Sequence, residues 1–206
     1  YYSNDDGTLS IFYISTITAN PSRTNMNITP EALLELSELS NVTAVKEASG
    51  NISQVAKIKA LCGDKLDIYS GNDDQVTAIL ALGGIGVISV LANVVPKAVH
   101  EMVMSYLTGD TNKSLSLQLE YLKLANDLFI ETNPIPVKTA LNLMGKEAGD
   151  LRLPLYEMDE NNKAILCSTV RWGNKPKFWK TIASSFRRIC NNSLSDTLAI
   201  SVPLIT

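Results

Sequence analysis

The chain alternates short apolar runs with amphipathic stretches between residues 29 and 107. Apolar positions that recur every three or four residues are typical of a helix with one buried face. A short apolar run rich in β-branched residues is typical of a buried strand. In chain order the pattern predicts helix, strand, helix, strand, helix, strand and helix with short connections, which is the signature of parallel βα units.

The first two predicted helices carry clear start and stop signals. Thr29 can cap a helix that begins at Pro30, because a hydroxyl accepts hydrogen bonds from free amides and proline fits the first helical position. The expected buried stripe of this helix is Leu33, Leu34, Leu36 and Leu39. The apolar face of the second helix is expected on Ile52, Val55, Ala56, Ile58 and Leu61. Gly63 is a suitable left-handed residue to end it.

Three apolar runs predict the strands, at Val42–Val45, Leu66–Tyr69 and Gly86–Val90. A short helix around Ile79 separates the last two, and a long helix is predicted over Pro96–Leu107. The glycine-rich segment 83–86 precedes a strand, whereas a phosphate-binding loop follows one. The pattern therefore favours a closed barrel over an open, doubly wound nucleotide-binding sheet.

Beyond residue 110 the strand signal stops. Leucines spaced over residues 115–128 predict one long helix, and a second is predicted from about residue 135 to Met144. Helices without strands indicate an appendage packed on the βα region or on a partner subunit. We therefore expect partial-barrel βα units over residues 1–108, a C-terminal helical region over 109–166 and an atypical basic tail over 167–206.

The expected tail combines aromatic and basic residues. It holds Trp172 and Trp179 and several cations against the single acid Asp196. Such a mixture can bind nucleic acid through charge and stacking. No helical or strand period persists through it, so we interpret it as an extension foreign to the domain, with disorder left open. We predict no nucleic-acid partner.

Composition and charge narrow the class of protein. Apolar residues make up 45% of the chain, which excludes a disordered polypeptide. A net charge of -3 and a pI near 5.2 give no field that would draw the molecule to nucleic acid or an anionic membrane. The first twenty residues carry Asp5 and Asp6 and do not read as a signal peptide. We expect a cytoplasmic protein whose partner is a small molecule or another copy of itself.

Cysteine and histidine usage argues against metal and disulfide sites. Cys62, Cys167 and Cys190 are odd in number, far apart and never in a Cys-x-x-Cys pair. Cys62 ends an apolar helical pattern and is expected to be a buried structural thiol. His100 is the only histidine and lies inside a predicted helix. We therefore expect no metal site.

Lys46 is the residue whose position points to chemistry. It follows the apolar run that predicts a buried strand, in the segment Val45–Asn51. A strand-end lysine in a barrel has a fixed aim at the pocket, and burial or a nearby cation can leave its amine deprotonated and nucleophilic. The alternative is a solvated charge at the rim of the sheet. The residues alone leave both readings open.

Five segments occur in the order and spacing of a known family. They are Pro21–Thr24, Val45–Asn51, Ser70–Asp73, Gly86–Val90 with Ala92 and Asn93, and Asn133–Lys138, to which Leu151–Pro154 adds. On these motifs residues 20–166 resemble the 4-hydroxy-tetrahydrodipicolinate synthase (dihydrodipicolinate synthase) family of pyruvate-dependent class I aldolases. The resemblance implies a (β/α)8 TIM barrel followed by a C-terminal helical extension. This chain would hold about the second half of that barrel.

The resemblance also implies an activity. Members condense pyruvate with aspartate semialdehyde in lysine (diaminopimelate) biosynthesis, through a covalent imine and without a cofactor, and are usually homo-oligomers. It implies that Lys46 forms the imine with pyruvate and that Arg23 receives the carboxylate of the aldehyde substrate. Gly71 and Ile88 match positions where the backbone approaches the bound keto acid.

Two tyrosines at the start of the chain match further family positions. Tyr2 resembles the proton-relay tyrosine that reaches across the dimer interface, and Tyr1 resembles part of the lysine feedback site. The sequence also departs from the family. Counting back from Arg23 without a gap places the second relay tyrosine at position 18, which is Thr18, and Tyr13 would take the role only in a gapped alignment.

These departures lead us to expect impaired activity. Loss of general acid-base help typically costs about 10² to 10⁴ in rate. For a chain that starts at Tyr1, the resemblance implies that the family's first four βα units are absent. Two alternatives stay open: an inactive truncated family member that acts at most as an assembly module, and a sister pyruvate-dependent aldolase that uses another aldehyde.

Overall fold

The computed structural model describes residues 25–173, with side chains at 25–170, and the strand backbones at 2–3, 9–10 and 15–19. The chain forms two compact units that divide between Asn126 and Asp127. Strands occur in the first unit, and the regular elements in the described part of the second are helices. Among the described helices, none has the length and apolar character that crossing a membrane requires.

The strands of the first unit form two sheets. An antiparallel pair joins β1 (Tyr2–Ser3) to β2 (Leu9–Ser10). A four-stranded parallel sheet has the order β3-β4-β5-β6, which is also the order along the chain. Its members are β3 (Ser15–Ala19), β4 (Val42–Glu47), β5 (Asp67–Ser70) and β6 (Gly86–Val87). Parallel neighbours in chain order are what consecutive βα units of a barrel produce.

Helices connect these strands, as the sequence predicts. They are α1 (Pro30–Ser37) between β3 and β4, α2 (Ile52–Cys62) between β4 and β5, and α3 (Val76–Ala81) between β5 and β6. A 3₁₀ turn (Leu91–Asn93) leads into α4 (Pro96–Leu107), which is followed by α5 (Thr111–Asp127). The second unit adds α6 (Ile135–Leu143) and α7 (Glu160–Gly173).

The local signals that start and end α1 and α2 are confirmed. The Thr29 hydroxyl accepts a hydrogen bond from the Ala32 amide at 3.2 Å. Asn51, which the sequence pattern did not single out, caps α2 in the same way by accepting from the Gln54 amide at 3.2 Å. Gly63 ends α2 at φ +58°, a left-handed conformation that glycine adopts at little cost.

The core of the first unit lies between α1, α2 and the outer face of β4 and β5. Its buried members are Leu33, Val42, Val45, Val55, Ile58, Cys62, Leu66, Ile68 and Ile79. Each fully buried aliphatic side chain contributes about 1.5–3 kcal/mol relative to exposure. Burial also raises the pKa of the Cys62 thiol, so this cysteine stays protonated and packs as the structural thiol that the sequence predicts.

The predicted apolar stripes were wrong at three positions, one of which is Ala56 of α2, an exposed residue. Leu39 is 51% exposed because α1 ends at Ser37 and Leu39 lies in the turn that follows. Leu61, in the last turn of α2, is 43% exposed while the next residue, Cys62, is buried. The third predicted strand was too long, since β6 ends at Val87 and the amide of Val90 bonds to a side chain instead of a strand.

The second unit packs α6 and α7 around its own buried residues. These are Leu128, Ile135, Val137, Ala140, Met158, Leu166, Cys167 and Val170. Buried Thr169 donates a hydrogen bond from its hydroxyl to the carboxylate of Asp127. The helical period continues through Cys167 and Val170, past the tail boundary expected at residue 166. Residues 174–206 of the predicted tail lie outside the described residues.

Candidate active site

The carboxyl ends of β4, β5 and β6 meet at one edge of the parallel sheet. The register pairs Lys46 with Tyr69 and Glu47 with Ser70, and Ser70 with Val87. Lys46, Gly71 and Ile88 therefore lie at the ends of three adjacent strands. In barrels this edge carries the reacting groups, because the loops after the strands converge there.

The Lys46 side chain occupies space beside the Gly71 main chain that a side chain at position 71 would need. A Cβ placed on Gly71 would lie 3.1 Å from Lys46 Cε, 2.5 Å from Ala48 Cβ and 3.0 Å from the Glu47 carbonyl oxygen. The Gly71 amide donates to that same carbonyl at 2.7 Å. The half-buried Lys46 side chain thus extends over a stretch of bare main chain that only glycine leaves open.

Ile88 is anchored by its main chain rather than by its side chain. Its amide donates to the Ser70 carbonyl at 2.8 Å, while its side chain is 42% exposed. The Ile88 amide already donates its hydrogen bond to β5 and cannot also donate it to a ligand. A contact between the Ile88 main chain and a bound keto acid would fall to its carbonyl group.

A buried polar network behind Lys46 was missed by the sequence reasoning. Glu47 is 1% exposed, and its two carboxylate oxygens accept from the Ser49 amide at 2.7 Å and from Gln54 Nε2 at 3.2 Å. Gln54 also exchanges two side-chain hydrogen bonds with Asn27, at 2.6 Å and 3.2 Å. The end of β4 is thereby tied to α2 and to the segment before α1. A signal existed: side chains alternate along a strand, so Glu47 faces away from Lys46 and towards the helices.

A second buried carboxylate, that of Asp73, was also missed as a functional candidate. Its Oδ2 accepts from the Val90 and Leu91 amides, both at 2.9 Å. Burial raises the pKa of Asp73, and this effect outweighs the nearby Ser89 hydroxyl and the two amides, which favour the charged form. The Ser89 oxygen itself accepts from the Ala92 amide at 2.8 Å, and Oδ1 of Asp73 is buried without a hydrogen bond in the described part of the chain.

The raised pKa of Asp73 predicts how an Asp73→Asn variant responds to pH. The folded state holds the proton more tightly than the unfolded chain, whose carboxyl has the ordinary value of 3.8. The contribution of Asp73 to wild-type stability therefore falls as pH rises from about 4 through the raised pKa, and asparagine does not titrate. We expect the free energy of unfolding of Asp73→Asn minus that of wild type to increase over this window. Urea unfolding at a series of pH values measures it.

Asp64 provides a control of opposite sign. Hydrogen bonding and charge attraction from Lys59 lower the pKa of this exposed carboxyl. The contribution of Asp64 to stability is present above the ordinary pKa of the carboxyl and is lost as pH falls through the lowered pKa. The free energy of unfolding of Asp64→Asn minus that of wild type should therefore decrease as pH rises. A flat or decreasing difference for Asp73→Asn would contradict the assignment of its pKa to burial.

The other predicted site residues precede residue 25, where the described side chains begin. Arg23, Tyr1 and Tyr13 lie outside the described residues. Tyr2 is described only as backbone, in β1, where it pairs with Ser10. On β3 the register pairs Thr18 with Lys46, so position 18 is the sheet neighbour of the lysine and the sequence places threonine there.

Residues 15–172 match the model of the dihydrodipicolinate synthetase family. The chain is 63% identical over 142 residues to 4-hydroxy-tetrahydrodipicolinate synthase 1 of Clostridium acetobutylicum, covering 69% of this chain and 48% of that protein. It is 57% identical over 155 residues to the 4-hydroxy-tetrahydrodipicolinate synthase of Clostridium novyi, covering 75% and 52%. The chain thus spans about half the length of the curated relatives it matches.

Solved structures give the same picture. A crystal structure of a dihydrodipicolinate synthase superposes with a TM-score of 0.73 at 48% identity, covering 76% of this chain and 54% of that one. The dihydrodipicolinate synthase of Thermotoga maritima superposes with a TM-score of 0.74 at 38% identity, covering 77% and 55%. The predicted partial (β/α)8 TIM barrel with a helical region after it is therefore confirmed.

Proposed function

Because this chain belongs to the dihydrodipicolinate synthetase family, we propose that it supplies the imine-forming part of a 4-hydroxy-tetrahydrodipicolinate synthase site. The reaction is the condensation of pyruvate with aspartate semialdehyde, in lysine biosynthesis by way of diaminopimelate. It uses no cofactor, because pyruvate binds covalently to Lys46. The observation that carries the proposal is the Lys46 side chain lying across Gly71 at the carboxyl edge of the sheet.

The proposed reaction begins at the Lys46 amine, which lies beside the Gly71 main chain. The deprotonated Lys46 amine attacks the keto carbon of pyruvate, and loss of water leaves a protonated imine. The positive imine nitrogen draws electrons from the adjacent methyl group, so that a proton leaves and an enamine forms. The enamine carbon then attacks the aldehyde of the second substrate. Gly71 and the Ile88 carbonyl would line the keto acid, since neither puts a side chain between it and the main chain.

The remaining roles belong to residues matched to the family by their motifs. Arg23 would hold the carboxylate of aspartate semialdehyde, because its planar guanidinium matches two oxygens at once. Tyr2 would relay protons from one copy into the site of another in a homo-oligomer, and Tyr1 would belong to a lysine-binding regulatory site. We place the protein in the cytoplasm, where its small-molecule substrates are made, with no membrane or nucleic-acid partner.

Reductive trapping tests the proposal. The full chain is incubated with pyruvate, reduced with borohydride, digested and analysed by mass spectrometry. We expect one modified peptide, with the reduced adduct on Lys46, and none in Lys46→Arg, because a guanidinium cannot form the imine. Absence of any adduct in the folded wild-type protein would refute a working site. An adduct without product release on addition of aspartate semialdehyde would place the defect in the later proton transfers.

A second reading is a family member that assembles but does not catalyse. The threonine beside Lys46 favours it, because a hydroxyl of that length cannot replace a phenol as a proton relay. Self-association of folded protein that forms no adduct would support this reading. A sister aldolase is distinguished by a panel of aldehydes at constant pyruvate, in which another aldehyde would be consumed and aspartate semialdehyde would not.

A further inference from the structure

Asp73 is a buried carboxylate beside the site that the proposed imine chemistry does not use. It is 3% exposed and follows Gly71 by two residues in the loop after β5. Its Oδ2 accepts from the amides of Val90 and Leu91, which follow Ile88 in the loop after β6. One side chain therefore ties together the two loops that carry Gly71 and Ile88.

Asp73 is itself held from α5. Gln118 is 4% exposed, and its Nε2 donates to the Asp73 main-chain oxygen at 2.8 Å. The Oε1 of the same amide accepts from the Thr77 amide in the first turn of α3, at 3.3 Å. Both ends of the Gln118 side chain are thus used to fix the loop between β5 and α3, with all three residues in the first unit.

The hydrogen bonds of Asp73 connect the loops after β5 and β6 beyond the point where the two strands end. Main-chain hydrogen bonds fix the first residue of each loop, from Gly71 to Glu47 at 2.7 Å and from Ile88 to Ser70 at 2.8 Å. Asp73 adds the next connection, from one loop directly to the other. The spacing between the Gly71 and Ile88 main chains therefore depends on the strand pairing at Ser70 and, beyond the strands, on the Asp73 side chain.

The polar connection is kept at an energetic cost. Oδ1 of Asp73 is buried without a hydrogen bond in the described part of the chain, and burying a carboxylate is unfavourable compared with burying an apolar side chain of the same shape. A residue that only filled space would avoid that cost. The two amides that Asp73 satisfies give the reason for its presence.

We propose that Asp73, held by Gln118, is a positioning residue that maintains, together with the strand pairing at Ser70, the separation of the Gly71 and Ile88 main chains and so raises the affinity of the Lys46 site for the keto acid. This inference rests on the proposed function for its substrate. The positioning itself rests only on the hydrogen bonds between Asp73 and the loop after β6.

The test compares two variants of the full chain that match aspartate in shape. Asp73→Leu removes the acceptor, and Asp73→Asn keeps one oxygen for the two amides. The concentration of pyruvate that gives half-maximal borohydride trapping at Lys46 should rise about tenfold in Asp73→Leu, since small misplacements of reacting groups are costly. It should stay within about twofold of wild type in Asp73→Asn. Asp127→Leu, the same change at a buried carboxylate in the second unit, should alter the free energy of unfolding and leave the half-saturating concentration unchanged.

Amide hydrogen exchange at Val90 and Leu91 supplies a measurement independent of pyruvate. Both amides should be protected in wild type and Asp73→Asn and should exchange faster in Asp73→Leu. Faster exchange without a rise in the half-saturating concentration would overturn the proposal, because Asp73 would then be merely structural. If Asp73→Leu does not fold, Gln118→Leu decides: an unchanged half-saturating concentration overturns the proposal. If wild type forms no adduct, the proposed function fails, and unchanged protection in Asp73→Leu separately refutes the positioning role.

Discussion

Replacement of Gly71 by alanine is expected to lower the rate of imine trapping at Lys46 by about 10²-fold or more. The new Cβ would lie 2.5 Å from Ala48 Cβ and 3.0 Å from the Glu47 carbonyl oxygen, distances at which atoms must move apart. One neighbour is backbone, so the shift displaces the end of β4, which carries Lys46. The Lys46 Cε atom, 3.1 Å from the same point, is pushed from its place over the main chain. Overpacking of this kind typically costs about 1–3 kcal/mol of stability.

The double variant Gly71→Ala with Ala48→Gly separates the steric effect from the loss of glycine. Removing the Ala48 methyl group eliminates the closest contact and leaves the Glu47 oxygen and Lys46 Cε as the next nearest neighbours. We expect part of the stability to return, while trapping stays low because the contact with Lys46 persists. Trapping by Gly71→Ala at the wild-type rate would show that the Lys46 amine works from a different position. Rates are measured from adduct formation over time, and stability from urea unfolding.

The strand ends could be read from the sequence because they depend on local pattern. The apolar run before Lys46, the loop at Gly71 and the run that includes Ile88 each predict a strand terminus. Parallel order alone brings such termini to one edge of a sheet. The sequence also predicts that other atoms can come close to the Gly71 main chain, because glycine has no side chain. It does not identify Lys46 Cε as one of those atoms.

The supporting contacts could not be read because they join residues distant in the chain. Gln54 bonds to Asn27, and Gln118 bonds to Asp73. The spacing of apolar residues predicts helices and strands, but it does not predict which distant side chains meet once the loops between them have folded. The error at Leu39 has a related cause, since a helix can end one turn before its apolar pattern does. Gln118 also ties α5 to the loop after β5, a contact that the leucine spacing of α5 does not predict.

Replacement of Glu47 by alanine is expected to be among the most destabilising single changes in the first unit, at about 2–6 kcal/mol for its two hydrogen-bond partners. It leaves the Ser49 amide and the Gln54 side chain without the carboxylate that they bond, in a place that is 1% exposed. Each buried group left unsatisfied costs about 1–3 kcal/mol. Because Glu47 is the next residue after Lys46, the same change should also slow trapping, by loosening the strand end that aims the amine.

The exposed carboxylate of Glu38 is the matched control. It bonds to Lys65 at 2.6 Å, shorter than either contact of Glu47, but both side chains are more than half exposed. Solvent screens such a pair, so Glu38→Ala should cost about 0–1 kcal/mol and leave trapping unchanged. Equal losses in the two variants would mean that burial does not determine the strength of the Glu47 contacts.

A double-mutant cycle assigns the loss at Glu47 to its partner. If the Glu47 carboxylate acts through Gln54, the effects of Glu47→Ala and Gln54→Ala on the free energy of unfolding should fall short of additivity by about 0.5–3 kcal/mol. Additive effects would mean that Glu47 acts through the Ser49 amide alone. The end of β4 would then be stabilised only by a contact within the loop that follows it. Coupling would mean that Asn27 is also connected to Lys46, through Gln54 and Glu47, and that the segment which follows Arg23 is held in place by the strand that carries the lysine.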